Sequence, residues 1–210
     1  MRSSKVLEMI NSGRIEELKS ELRDEIYAEA LKNKPGAKKR YSAMKKYFSY
    51  IKSAREVCNK PCILEFEGKP HTSFCNSYSL VLTSEPCGEI ELFTDIDRYP
   101  NMTKLVKYDG YQGTMNLGPI FAKAHSLGYK LTKAEVGNKY KYLLHYNDTY
   151  FKVGLVESAF NIIDDGNDVT LYHADGKFSS LIIKNDIGVC VIMPIRIDEL
   201  PEDVVVIEMN

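Results

Sequence analysis

In residues 4–33 the apolar positions recur every three or four residues. Val6, Leu7 and Ile10 form a short first stripe, Gly13 interrupts it, and Ile15, Leu18, Leu22, Ile26 and Ala30 continue at helical spacing. Lys34-Pro35-Gly36 stops the pattern. The predicted helical stripe has to be buried, either on the body of the protein or against a partner. A second helix is predicted over 42–57. Met44, Tyr47, Phe48, Ile51 and Ala54 share one face, Lys45, Ser49 and Lys52 lie opposite, and Lys46 and Arg55 sit at the margins. From residue 62 the pattern turns to short β-prone runs, with strands predicted at 62–67, 71–76, 78–83 and 89–93. Glu67-Gly68-Lys69-Pro70 and Glu85-Pro86-Cys87-Gly88 punctuate them.

After a Tyr99-Pro100 segment the pattern restarts. A short strand near 112–115 leads to a helix over 117–127, buried through Leu117, Ile120, Phe121, Ala124 and Leu127. Strands are predicted near 131–136, 139–146 and 149–153, then a helix over 155–163 buried through Val156, Ala159, Phe160 and Ile163. Strands at 168–173, 178–184 and 187–197 follow, parted by turns at Ala174-Asp175-Gly176 and Asn185-Asp186. The recurring unit is strand, helix, then antiparallel strands, an α+β pattern with helices on one side of the sheets that also suits a generic α+β sandwich. The chain divides into a helical segment at 1–40, a first half at 41–97, a connection at 98–110, a second half at 111–197 and a tail at 198–210. The tail run Val204-Val205-Val206-Ile207 is apolar enough to need burial, along a sheet edge or inside a neighbouring cleft.

At 210 residues, with 44% hydrophobic and 27% charged positions, the composition is that of an ordinary globular chain. No apolar run approaches a bilayer span and the first residues lack the apolar core of a signal peptide, so the expected location is cytoplasmic. Five cysteines, Cys58, Cys62, Cys75, Cys87 and Cys190, fit a reducing compartment. The net charge of −1 conceals an asymmetry: residues 34–60 hold nine basic residues against the single acid Glu56, a local +8 that leaves −9 for the rest. Such a stripe suits sequence-independent contact with a phosphate backbone, while the alternative is a solvated helix face.

No catalytic constellation is evident. His71, His125, His145 and His173 show neither metal-ligand spacing nor a nucleophile partner, and no glycine-rich phosphate loop is present. A zinc site from Cys58, Cys62, Cys75 and Cys87 lacks a tight Cys-x-x-Cys pair, and no cofactor is expected. Asp164-Asp165-Gly166-Asn167-Asp168 lacks the closing glutamate of a calcium loop and reads as a helix-to-strand turn.

Three motifs carry a family resemblance. The run Gly-Val-Cys-Val-Ile-Met-Pro-Ile-Arg-Ile at 188–197 resembles the last strand of the bacterial replication sliding clamp, the DNA polymerase III β subunit. Arg98-Tyr99-Pro100-Asn101-Met102-Thr103-Lys104-Leu105-Val106 resembles the clamp's interdomain segment, and Cys75-Asn76-Ser77-Tyr78-Ser79-Leu80 more faintly resembles its Thr-Asp-Gly-aromatic-Arg-Leu loop, with Ser77 in place of the glycine and Ser79 in place of the arginine. The resemblance spans roughly residues 41–197. It implies a DNA-clamp-like α+β fold and a non-catalytic role in replication or repair, in contact with double-stranded DNA and with linear peptide motifs of replication proteins.

It further implies DNA-facing Lys45, Lys46, Lys52, Arg55 and Lys123. The implied peptide cleft is lined by Leu80, Pro100, Lys104 and Leu105 on one side and by Val191, Met193, Pro194, Ile195 and Arg196 on the other. Clamp chains carry three such domains and close a ring in pairs. This chain has material for about one and a half, looks like a trimmed relative of the kind a phage or mobile element carries, and is expected to be a monomer or dimer. The alternatives are a clamp-derived interaction or regulatory module without DNA binding, and an enzyme on an unrelated α+β fold.

Overall fold

The protein is described by a computed structural model covering residues 3–50, 58, 60–88, 90–137, 140–176, 178–197 and 199–209. Its first helices, α1 (Ser3–Asn11) and α2 (Ile15–Asn33), form a hairpin across Gly13, whose φ of 73° suits glycine. Only Met9 and Leu18 of this hairpin are buried among the side chains described. Helix α3 (Ala37–Tyr50) begins earlier than the expected 42, because Ala37, Arg40 and Tyr41 continue the buried face of Met44 and Tyr47 by one more turn. The remainder of the predicted second helix lies outside the described residues.

Seven strands form one antiparallel sheet: β1 (Cys62–Phe66), β2 (Lys69–Cys75), β3 (Ser79–Thr83), β4 (Tyr111–Met115), β7 (Val169–His173), β8 (Leu181–Lys184) and β9 (Gly188–Ile192), in the order β1-β2-β3-β9-β8-β7-β4. The pairing of β3 with β9, Leu80 opposite Val191, joins the two halves of the chain into a continuous sheet. Alternation along the strands supplies a core on each face. Phe74, Val81, Cys190, Ile183 and Leu171 meet the helices, while Cys75, Leu80, Leu82, Val189, Val191 and Ile182 lie beneath Tyr99, Met102, Val106 and Tyr108.

Helix α6 (Val153–Ile163) follows β6 (Thr149–Lys152) without a loop and is buried at every position but Asn161. It contacts β3 and β9 of the large sheet on one side and β5 (Tyr142–Tyr146) and β6 of a small sheet on another, with α3 and the short α5 (Lys133–Val136) alongside. Gly188 permits the close packing here: a Cβ on it would sit 2.1 Å from the Leu82 carbonyl oxygen and 3.0 Å from Ile163. Helix α4 (Gly118–Ser126) covers the α6 side near β10 (Val205–Glu208). The tail run forms this β10, parallel to β5, with Ile207 and Met209 in the core, so it occupies a sheet edge.

Among the described residues the fold is thus α+β, with six α-helices, a seven-stranded antiparallel sheet and a three-stranded sheet. Three local expectations are corrected. The segment predicted as strand at 89–93 has no strand among its described residues and follows a turn closed by Ile90 N–H donating to Cys87 O. At 131–136 the chain makes α5, because the Thr132 hydroxyl accepts from the Glu135 N–H, a capping arrangement that starts a helix. Strand β9 ends at Ile192, since Pro194 brings no N–H to a ladder. Ile195 instead donates its N–H to Tyr150 O of the small sheet at 2.8 Å. No helix among the described residues is long and apolar enough to cross a membrane.

Candidate nucleic-acid interface

Helix α3 carries the cations. Tyr41, Met44 and Tyr47 are buried against the core, which turns Lys38, Lys45 and Lys46 toward solvent. Beside α6 lies a groove of about 580 Å³ lined by Lys39, Ser42, Ala43, Lys45, Lys46, Tyr47, Tyr50, Leu131, Ser158 and Asn161. Three of these are lysines and none is an acid. Lys39 donates to Asp164 at 2.6 Å, and the Lys45 ammonium stands 4.7 Å from the centre of the Tyr41 ring. Ser42 and Asn161 add neutral hydrogen-bonding groups, whereas the buried Ser158 hydroxyl donates to Leu155 O, so the groove offers cations and donors to an anionic ligand.

The +8 of residues 34–60 is smaller in space than along the chain. Arg40 is not a surface cation. It donates to Glu85 Oε1 at 3.0 Å and to Asp164 O at 3.3 Å, with the Arg40 and Glu85 side chains each only 2% exposed. Lys34 lies 3.8 Å from the same Glu85 oxygen and Lys60 pairs with Glu91. Three remote acids, Glu85, Asp164 and Glu91, therefore pair with four of the nine cations and offset three of their charges. Lys45 and Lys46 remain exposed at the groove, whereas Lys52 and Arg55 lie outside the described residues. Lys123 is exposed on α4 and is not among the groove's lining residues.

The nine residues expected to line a peptide cleft separate into two environments. Leu80 and Val191 are cross-strand partners buried in the core that includes Tyr99, Met102 and Val106, so the chain's own connecting segment covers them. Pro100 is half-buried, and Lys104 and Leu105 are exposed on a short 3₁₀ turn, Met102–Leu105. Met193 is exposed while its N–H donates to Tyr78 O, Pro194 and Ile195 are half-buried, and the exposed Arg196 stacks 5.1 Å from the Phe178 ring centre. Neither the α3–α6 groove nor a second crevice beside α2 includes any of the nine.

A polar cluster on α4 and α6 escaped the sequence reading. His125 Nε2 lies 2.9 Å from Glu157 Oε1 and its Nδ1 lies 3.1 Å from Tyr129 O, so both ring nitrogens face acceptors. The hydrogen bond to Glu157 raises the His125 pKa above its ordinary value, partly opposed by burial. Both bonds can be donated together only by the imidazolium. Each ring nitrogen is tied to an acceptor, and the His125–Glu157 pair links α4 to α6. His125 thus contributes stability that is fully present below the unfolded-state value of about 6.5 and is lost as pH rises through the higher folded-state value. In urea titrations, the stability advantage of wild type over His125→Gln should be largest near pH 5.5–6 and shrink toward pH 8. An advantage that grows with pH would contradict this.

The thiols are buried. Cys58, Cys62 and Cys75 share the core under Tyr99, and burial pushes the Cys75 thiol up to about 12, which suppresses thiolate chemistry. Among the described residues no group of three or more His, Cys, Asp or Glu side chains is placed to hold a metal ion. Asp164 and Asp165 each accept from the backbone N–H two residues on, closing the turn after α6. The chain matches no protein-family model, no curated protein and no solved structure.

Proposed function

We propose that this chain is a non-catalytic nucleic-acid-binding protein of sliding-clamp-like build, which holds the DNA backbone on α3 without reading sequence. The observation that carries the proposal is the groove between α3 and α6, where Lys39 is paired with Asp164 while Lys45 and Lys46 stand exposed on the rim with no acid among the lining residues. Exposed ammonium groups over neutral donors engage phosphates through counterion release, a sequence-independent contribution. The chain order β6, α6, β7, β8, β9, with β6 in the small sheet and β7–β9 in the large one, supports the clamp-like reading by its likeness to a strand, helix and antiparallel-strand unit. Because α6 is buried, α3 supplies the contact surface alone, and affinity is expected to be weak, with a Kd of about 10⁻⁴–10⁻⁶ M at physiological salt.

Fluorescence anisotropy with a labelled DNA duplex tests the reading. Wild type should bind unrelated sequences alike, and Lys45→Glu with Lys46→Glu should weaken binding by at least about tenfold. Equal binding by the double variant, or a clear sequence preference, would sink the proposal.

A second reading, a protein-interaction module, is favoured by a different observation: the exposed aliphatic side chains Leu7, Ile10, Ile15, Leu22 and Ile26 on the α1–α2 hairpin.

A further inference from the structure

The apolar stripe of α2 is largely unburied. Leu18 goes to the interior, but Ile15, Leu22 and Ile26 are 40%, 38% and 56% exposed. Three further exposed residues, Lys19, Glu29 and Asn33, complete a single ridge with them: positions 15, 19, 22, 26, 29 and 33 alternate steps of four and three. At 100° per residue all six fall within about 80° of helix circumference, the seam spacing of a coiled coil. The ridge runs about 27 Å at 1.5 Å per residue.

The ridge is complementary to itself when reversed. About a twofold axis at residue 24, an antiparallel second copy sets Leu22 against Ile26, Lys19 against Glu29 and Ile15 against Asn33, and the symmetry repeats each layer. Apolar meets apolar at the centre and cation meets anion one step out. A parallel pairing in register would instead set Lys19 against Lys19 and Glu29 against Glu29. Ile26, Glu29 and Asn33 form one wall of an open crevice of about 500 Å³, and the half-exposed Ile63, with Pro70 and Leu92, stands on the other.

We infer that α2 is a dimerisation helix, and that the surface it presents takes a second copy of this chain in antiparallel, twofold-symmetric packing. The central Leu22–Ile26 layers supply the apolar burial, and the Lys19–Glu29 layers fix direction and register, as polar residues in a coiled-coil seam do. With few apolar layers, the expected Kd is about 1–10 µM. This assignment is independent of the α3 groove.

Sedimentation equilibrium of the full chain up to about 100 µM, well above that Kd, tests it. Wild type should approach twice the 23.9 kDa chain mass, and Leu22→Lys with Ile26→Lys should remain at chain mass while keeping the wild-type circular dichroism spectrum. Lys19→Glu and Glu29→Lys should each weaken the dimer by about tenfold or more, and the two together should restore it, because the reversed charges again oppose. A wild type that stays monomeric, a dimer indifferent to the Leu22 and Ile26 changes, or a charge exchange that fails to restore association would each overturn the inference.

Discussion

Replacing Arg40 by alanine is expected to lower the unfolding free energy by about 3–5 kcal/mol, because it strands the Glu85 carboxylate in the interior without its guanidinium. The pair closes a junction of three elements: Arg40 reaches from α3 to Glu85 after β3 and to the Asp164 carbonyl at the end of α6. Glu85 is held further by its own backbone. Its N–H donates to the Thr83 hydroxyl and its carbonyl accepts from Thr72. For a chain of this size the loss corresponds to a fall in Tm of about 6–20 °C. Arg40→Met combined with Glu85→Leu should cost markedly less than either single change, since an apolar pair leaves no buried charge alone. Urea denaturation of the three variants checks this, and a double variant as unstable as the sum of the singles would contradict it.

The second large effect is expected at the C-terminus. Removing residues 204–210 deletes β10, uncovers one edge of β5, and takes Ile207 and Met209, 0% and 1% exposed, out of the core. Each such side chain is worth about 2–5 kcal/mol when truncated, so the two together rival the whole stability of a typical domain. The truncated chain should show no cooperative thermal transition by circular dichroism. A truncated protein that melts within a few degrees of wild type, judged against the usual scale of such shifts, would show that the tail is an accessory.

Much of this architecture was legible because it rests on local periodicity. Strands β1–β3, β7 and β8 lie within a few residues of their expected places, since their β-prone runs sit between strong turn residues. The failures are of another kind. Thr132 to Glu135 carries a helix-capping pattern within a short stretch, Leu131 to Val136, whose alternation of apolar and polar residues passes for a strand. Arg40 falls at helical spacing with Met44 and Tyr47, a hint that it faces inward, yet a charge count along the chain assigns it to the surface. Its partner is 45 residues away, and no local signal joins them. The same distance problem hides Asp164 from Lys39 and Glu157 from His125.

Lys45 lies on the helical face opposite Met44 and Tyr47 and Lys46 at its margin, and both are exposed. The expected cleft residues were drawn from motif likeness, which carries no information on what covers them. Leu80 and Val191 lie under Tyr99 and Met102, residues of the very motif expected to line the cleft beside them.

The account turns on whether Lys45 and Lys46 engage phosphates, and the salt dependence of DNA binding reads that directly. The logarithm of the association constant should fall linearly with the logarithm of salt concentration. Lys45→Ala with Lys46→Ala should reduce the steepness of that line by about 1.8, close to 0.9 for each phosphate contact removed. A slope that the double substitution leaves unchanged would place the DNA contact elsewhere and contradict the assignment of α3.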